Sequence, residues 1–169
     1  MPKGLKPTSG VIVISSGVTE SGPNTFTSAK VDLQLNVLDR EVFVVQAIDL
    51  NIVAPDLITD TVTDTDMTLS TVERTSVGGL GASNVLAQAY IKIQSGTDGD
   101  VAVTEYSSAD TPHAQLEYIG IIATNDFFLN IQGDRNNVAK AGNSRVWGYR
   151  AQADAATFAA LTQSELLSQ

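Results

Sequence analysis

The sequence has no cysteine and a single histidine among its 169 residues. The first absence excludes disulfides, thiolate metal sites and cysteine nucleophiles, while leaving the redox compartment open. The second argues against histidine-based catalysis and multi-histidine metal centres. His113 follows Pro112 in a polar stretch and reads as a solvated loop residue. Charge is scarce as well: charged residues make up 17% of the chain, below the usual quarter or so of a globular protein. That charge leans acidic, with 10 Lys and Arg against 19 Asp and Glu, a net charge of −9 and a pI near 4.3. Direct nucleic-acid binding needs a positive patch that displaces counterions from phosphate, and Lys3 and Lys6 alone make no basic arm. No apolar run approaches the roughly twenty residues of a membrane-spanning helix. The apolar stretch at 10–15 is too short for a secretory core and reads as a strand, so nothing directs the chain to export. Walker loop, dinucleotide fingerprint and nucleophile elbow are all missing. The glycines at 78, 79 and 81 lack the lysine and the strand-to-helix setting of a phosphate loop, and read as a surface loop.

What is present is β-sheet material. Hydrophobic residues make up 43% of the chain, too many for a disordered polymer. Val31, Leu33, Leu35 and Val37 alternate with polar residues, which predicts a half-buried strand over 31–37. The run 41–54 is apolar on both parities at its start and on one at its end. It reads as a strand covered on two faces and then one, stopped by Pro55. Residues 56–66, rich in Asp and Thr, read as a loop with room for a short strand, and 67–72 as a strand. A helical turn capped by Ser83 or Asn84 precedes a strand at 89–94. A turn around Gly99, holding Asp98 and Asp100, leads to another strand at 101–106. Strands at 116–122 and 127–131 flank Thr124-Asn125-Asp126, which reads as a hairpin turn. The last strand spans 145–151. About eight short strands without βαβ alternation predict an all-β antiparallel sandwich, most simply a single jelly roll.

The ends differ from the body. Residues 1–10, with Pro2, Gly4 and Pro7, read as an N-terminal arm; 11–153 form the β domain; 154–169 form a helical tail. Asp154 is a good N-cap. Ala155, Phe158, Ala159, Thr162 and Leu166 form the main apolar strip, with Ala156, Ala160 and Leu167 as a weaker one. Such a helix can pack on its own sheet, on a neighbour, or on both. Phe158, Leu161, Leu166 and Leu167 are therefore candidate interface residues, together with Trp147 and Tyr149, which alternate on the last strand. Arg145 and Arg150 beside them could pair with a neighbour's acids.

No cofactor is expected unless it is calcium. That ion takes roughly six to eight oxygens, and Asp56, Asp60, Asp64 and Asp66 could supply several; Asp60, Asp64 and Asp66 are the candidate ligands. Their spacing is not that of an EF-hand, and the same residues serve equally well as solvated turn formers.

In this layout of strands, long polar loops, arm and helical tail, the chain resembles single jelly-roll capsid proteins of small icosahedral viruses, including those of tail-less bacterial and archaeal viruses. The resemblance covers most of the chain as a pattern and includes no diagnostic motif, so it transfers no residue roles. It implies a non-enzymatic subunit of the virion that assembles with copies of itself and with other shell proteins. One departure matters: without a basic arm, the inner face of such a shell would meet a membrane or a further protein layer. A carbohydrate- or ligand-binding sandwich, using the aspartates and Trp147 and depending on calcium, is the alternative. An enzyme of another β class finds little support, since nothing places two carboxylates across a cleft.

Overall fold

The computed structural model describes residues 3–107 and 116–168, so Pro112 and His113 lie outside the described residues. Among those described there are ten strands and one C-terminal helix. The strands are β1 (Leu5–Pro7), β2 (Ile12–Thr19), β3 (Thr27–Asp32), β4 (Glu41–Ile52), β5 (Val62–Ser70), β6 (Val85–Ser95), β7 (Val101–Ser107), β8 (Gly120–Ile122), β9 (Asp126–Asp134) and β10 (Ala141–Ala153). The helix is α1 (Ala155–Leu167).

All pairings are antiparallel, and β10 organises the first sheet. Along one edge it meets β4, from Gly142 opposite Ile52 to Gln152 opposite Glu41. Its other partners are β2, beside residues 141–148, and β1, beside 151–153. A strand has two edges, so β1 and β2 lie end to end along the second one as a single interrupted strand. The interruption is held by the Thr8 amide donating to the Arg150 carbonyl at 2.8 Å and the Arg150 amide donating to Ser9 Oγ at 2.9 Å. The first sheet is then β1/β2-β10-β4-β8, and the second is β3-β9-β5-β6-β7. With β7 set aside, four strands face four, and strands from the two halves of the chain alternate across each sheet. That is the order of a jelly roll.

Period-two patterning explains the core. Phe43 and Ile48 of the first sheet meet Met67, Leu69, Phe127, Leu129 and Ile131 of the second, all buried. Each such side chain contributes about 2 kcal/mol on leaving water. The two-faced start of β4 is as expected: Val42 and Val44 point away from this core into a second cluster with Leu5, Ala151 and Ala153, covered by Phe158 and Leu161 of α1. The register slips between Trp147 and Gly148, leaving Gln46 as the extra residue of a bulge. A Cβ on Gly148 would strike the Val44 carbonyl and lie 2.7 Å from the Phe43 ring, so only glycine fits.

Several expectations need correction. The alternating segment 31–37 is a strand only as far as Asp32. Leu33 and Leu35 remain buried, but Gln34 has φ 52° and residues 37–39 form a 3-10 turn with Val37 exposed. Both leucines stay inward because their amides are held by one residue, Asn125, whose carbonyl accepts from the Leu33 amide at 2.8 Å and whose Oδ1 accepts from the Leu35 amide at 2.6 Å. Asp64 and Asp66 belong to β5, not to a loop; threonines at the inward positions 63 and 65 hide the strand from a hydrophobicity reading. Strand β6 begins at Val85, so the turn before it is shorter than expected. Residues 116–122 and 127–131 do not form a hairpin. β8 pairs with β4 in one sheet, β9 with β3 and β5 in the other, and Thr124-Asn125-Asp126 crosses between sheets. The arm is docked through β1.

The helix sits on its own sheet, rotated from the expected face. Phe158, Leu161 and Glu165 turn inward, while Ala155, Ala159 and Leu166 are exposed. Asp154 caps it, its Oδ1 accepting from the Thr157 amide at 2.7 Å, and the Asp154 amide donates to the Gly4 carbonyl at 2.9 Å. Near the far end Glu165 Oε1 accepts the Ala123 amide at 3.1 Å. These two ties, one at each end, fix the rotation that apolar spacing alone left open.

Candidate functional site

Three regions concentrate polar chemistry. The first is one end of the sandwich, where the β2–β3, β4–β5 and β9–β10 connections meet. Glu20 is buried and accepts the Gly133 amide at 2.6 Å and the Lys140 amide at 2.7 Å. Lys140 is also buried, and its Nζ lies 2.6 Å from Asp56 Oδ1. Asp56 Oδ2 accepts the Asn137 amide at 2.7 Å, and the Lys140 ammonium and this amide hold its carboxyl below the usual range. The Asn24 side chain donates to the Asn136 carbonyl at 2.8 Å and accepts from the Asn136 amide at 2.7 Å, while the Asn136 side chain accepts from the Asp56 amide and donates to the Asp64 carbonyl. Nearly every donor and acceptor of this knot is spent internally, so its product is rigidity. Glu20, Asn136 and Lys140 were invisible to sequence reasoning because their partners lie far along the chain. The one local hint was a polar Asn-Asn segment ending in a lysine.

The second region is the outer face of the β5–β6–β7 half of the second sheet. Asp64, Asp66, Gln88, Tyr90, Lys92 and Thr104 line a cavity of about 410 Å³. Tyr90 stacks on Tyr106 across the β6–β7 pair, with ring centroids 5.4 Å apart. Burial raises the Asp66 carboxyl to about 6, against the opposing pull of the Gln88 amide, 3.3 Å from each oxygen. Asp64 is raised too, first by burial and then by Asp134, its cross-strand neighbour on β9. The four aspartates do not converge. Asp56 serves the knot, and Asp60 stands in the β4–β5 connection at φ 57°, its Oδ1 accepting from Thr97 at 3.1 Å. Only Asp64 and Asp66 share a face. Among the described residues no three His, Cys, Asp or Glu side chains are placed to hold a metal ion.

The third region is the outer face of the first sheet. Trp147 is half-buried between Val13 on β2 and Ala47 on β4, with the Arg145 guanidinium 5.9 Å from its ring. Beyond it Ser15, Asp49, Asn51, Asn143 and Arg145 line a wider polar hollow. Tyr149, Phe158 and Leu161 belong to the intramolecular cluster under α1. Leu166 and Leu167 are exposed at 62% and 78%. Arg150 is engaged within the chain, bonding the Leu33 carbonyl at 2.8 Å and Glu41 at 3.3 Å, and so ties the two sheets together at the end opposite the knot.

No family model matches the chain, and no curated protein does. Two solved virus structures share its outline. A chain of Cocksfoot mottle virus is 10% identical, with 92% of this chain and 98% of that one covered and a TM-score of 0.36. A chain of Desmodium yellow mottle tymovirus is 11% identical, with 91% and 95% covered and a TM-score of 0.30. Overlap this slight assigns no family. The architecture rests on the strand order itself.

Proposed function

We propose that this chain is a structural subunit that assembles with copies of itself into a closed shell, a viral coat protein located in the virion. The observation behind the reading is the jelly roll closed at both ends by internal polar ties. Glu20, Asp56, Asn136 and Lys140 brace the connections at one end, and Arg150 bridges the sheets at the other. Cross-braced this way at both ends, the domain acts as a stiff building block. Its net charge of −9 makes neighbouring subunits repel, so association should strengthen as salt or divalent cations screen them. The same charge leaves little with which to neutralise phosphate, and the reading includes neither catalysis nor direct contact with a genome. Negative-stain microscopy of the purified chain at low salt, at high salt and with calcium tests this. Shells or regular partial shells favoured by salt are expected, and discrete monomers under every condition would refute the reading.

The groove of Asp66, Tyr90 and Lys92 favours a second reading, a glycan-binding module, because acceptors, a cation and a stacked aromatic pair converge there. Glycan-array binding that Tyr90→Ala abolishes, in a chain that stays monomeric, would select it.

A further inference from the structure

Strand β7 stands outside the eight strands of the jelly roll. It pairs with β6 from Ala89 opposite Ser107 to Ser95 opposite Val101, yet all seven of its residues are exposed. Among the described residues no strand of the first sheet covers its inner side, and Val101 and Val103 stand 51% and 62% exposed. Among the described residues no strand pairs with its other edge, where the N–H and C=O groups of alternate residues over 101–106 face away from β6. Of the usual protections of an edge, 101–106 has no proline, no lysine and no bulge against β6, and a single charge, Glu105.

We propose that β7 is a self-association edge, pairing antiparallel with β7 of a second copy about a two-fold axis at Thr104. The identity of the partner rests on the shell reading above, which this inference deepens. Charge and register select a second copy. In an acidic chain β7 holds one charge, Glu105. The Thr104-centred register sets Glu105 opposite Val103, Ala102 opposite Tyr106 and Thr104 opposite Thr104, so no like charges meet. It also joins the inner row Ile93–Val103 of one copy to Glu105–Ile91 of the other, bringing the two Val103 side chains diagonally together. The second sheets of the two copies then form one continuous ten-stranded sheet. Two short strands bury less than a standard stable interface, so the contact is weak in isolation and gains strength from the many other contacts of a shell.

The absence of native cysteine makes the test clean. Thr104→Cys puts one thiol at the axis, where facing residues of an antiparallel pair have Cα atoms about 4.5–5.5 Å apart, within disulfide reach. Mild oxidation of this variant should give a disulfide-linked dimer, whereas Ser164→Cys, exposed on α1, should not. Val103→Lys, the usual guard of an exposed edge, should weaken self-association in sedimentation at least about tenfold while leaving the melting temperature unchanged. Shells that form without a 104 cross-link, or that form equally well in Val103→Lys, overturn the pairing and leave the shell reading standing. A cross-linked dimer that never builds shells keeps the pairing and sinks the shell reading. Monomers with no cross-link at any salt concentration overturn both.

Discussion

Asp66→Asn should make the protein more stable at neutral pH and leave it unchanged in acid. The carboxyl sits on the outer face of β5, and burial has raised it from 3.8 to about 6. The folded state therefore holds this proton more tightly than the unfolded chain does. Its stabilising effect is complete below about pH 4, declines as pH rises through about 6, and is gone above that. Two pH units correspond to about 3 kcal/mol at ~1.4 kcal/mol each, and partial access of water to the groove reduces this to about 1–2 kcal/mol. Asparagine keeps the acceptor for Gln88 and removes the charge. For a domain of this size about 1 kcal/mol moves the midpoint by ~2–4 °C. Thermal melts at pH 4 and pH 7.5 should then show variant and wild type together in acid, with the variant about 2–8 °C higher at pH 7.5. An equal increment at both pH values, or a variant that melts lower at pH 7.5, would refute burial as the dominant influence on this carboxyl.

Other perturbations test the braces. Lys140→Met leaves Asp56 without its cation and should cost about 1–3 kcal/mol, read as a lower urea midpoint. Gly148→Ala drives a methyl into the Phe43 ring and the Val44 carbonyl at the bulge, and should cost at least about 3 kcal/mol or abolish folding, read by circular dichroism. Glu165 is buried, and burial raises its carboxyl against the opposing pull of the Ala123 amide and Thr124, so its stabilising contribution falls as pH rises above its ordinary range. Glu165→Gln should accordingly slow hydrogen exchange at the Ala123 amide at pH 7 more than at pH 4.

Much of this architecture was legible in local patterns. The two-faced start of β4, its stop before Pro55 and the cap at Asp154 are each written in neighbouring residues. What failed was information held by distant ones. Thr124-Asn125-Asp126 has the composition of a hairpin turn, but sheet membership is decided by whether β8 finds β4 and β9 finds β5. The start of β5 read mainly as loop because both its faces are polar there, Asp64 and Asp66 outward, Thr63 and Thr65 inward. The helix face went wrong because Glu165, which a hydrophobic reading assigns to solvent, is drawn inward by a backbone amide. Of the candidate site, Asp64 and Asp66 could be named from the sequence. Their separation from Asp56 and Asp60 could not, since it depends on Lys140 and Thr97.

The position of β10 between β2 and β4 also governs how the molecule can be made. Among the described residues, 5–19 have no sheet partner except β10, so this N-terminal segment must wait until β10 has been made. Contacts of such long sequence separation close late and slowly, and the waiting strands are exposed meanwhile. Truncation should therefore act as a step. Loss of residues after 153 removes a strap, whereas loss of residues within β10 leaves a nascent chain with no first sheet to complete.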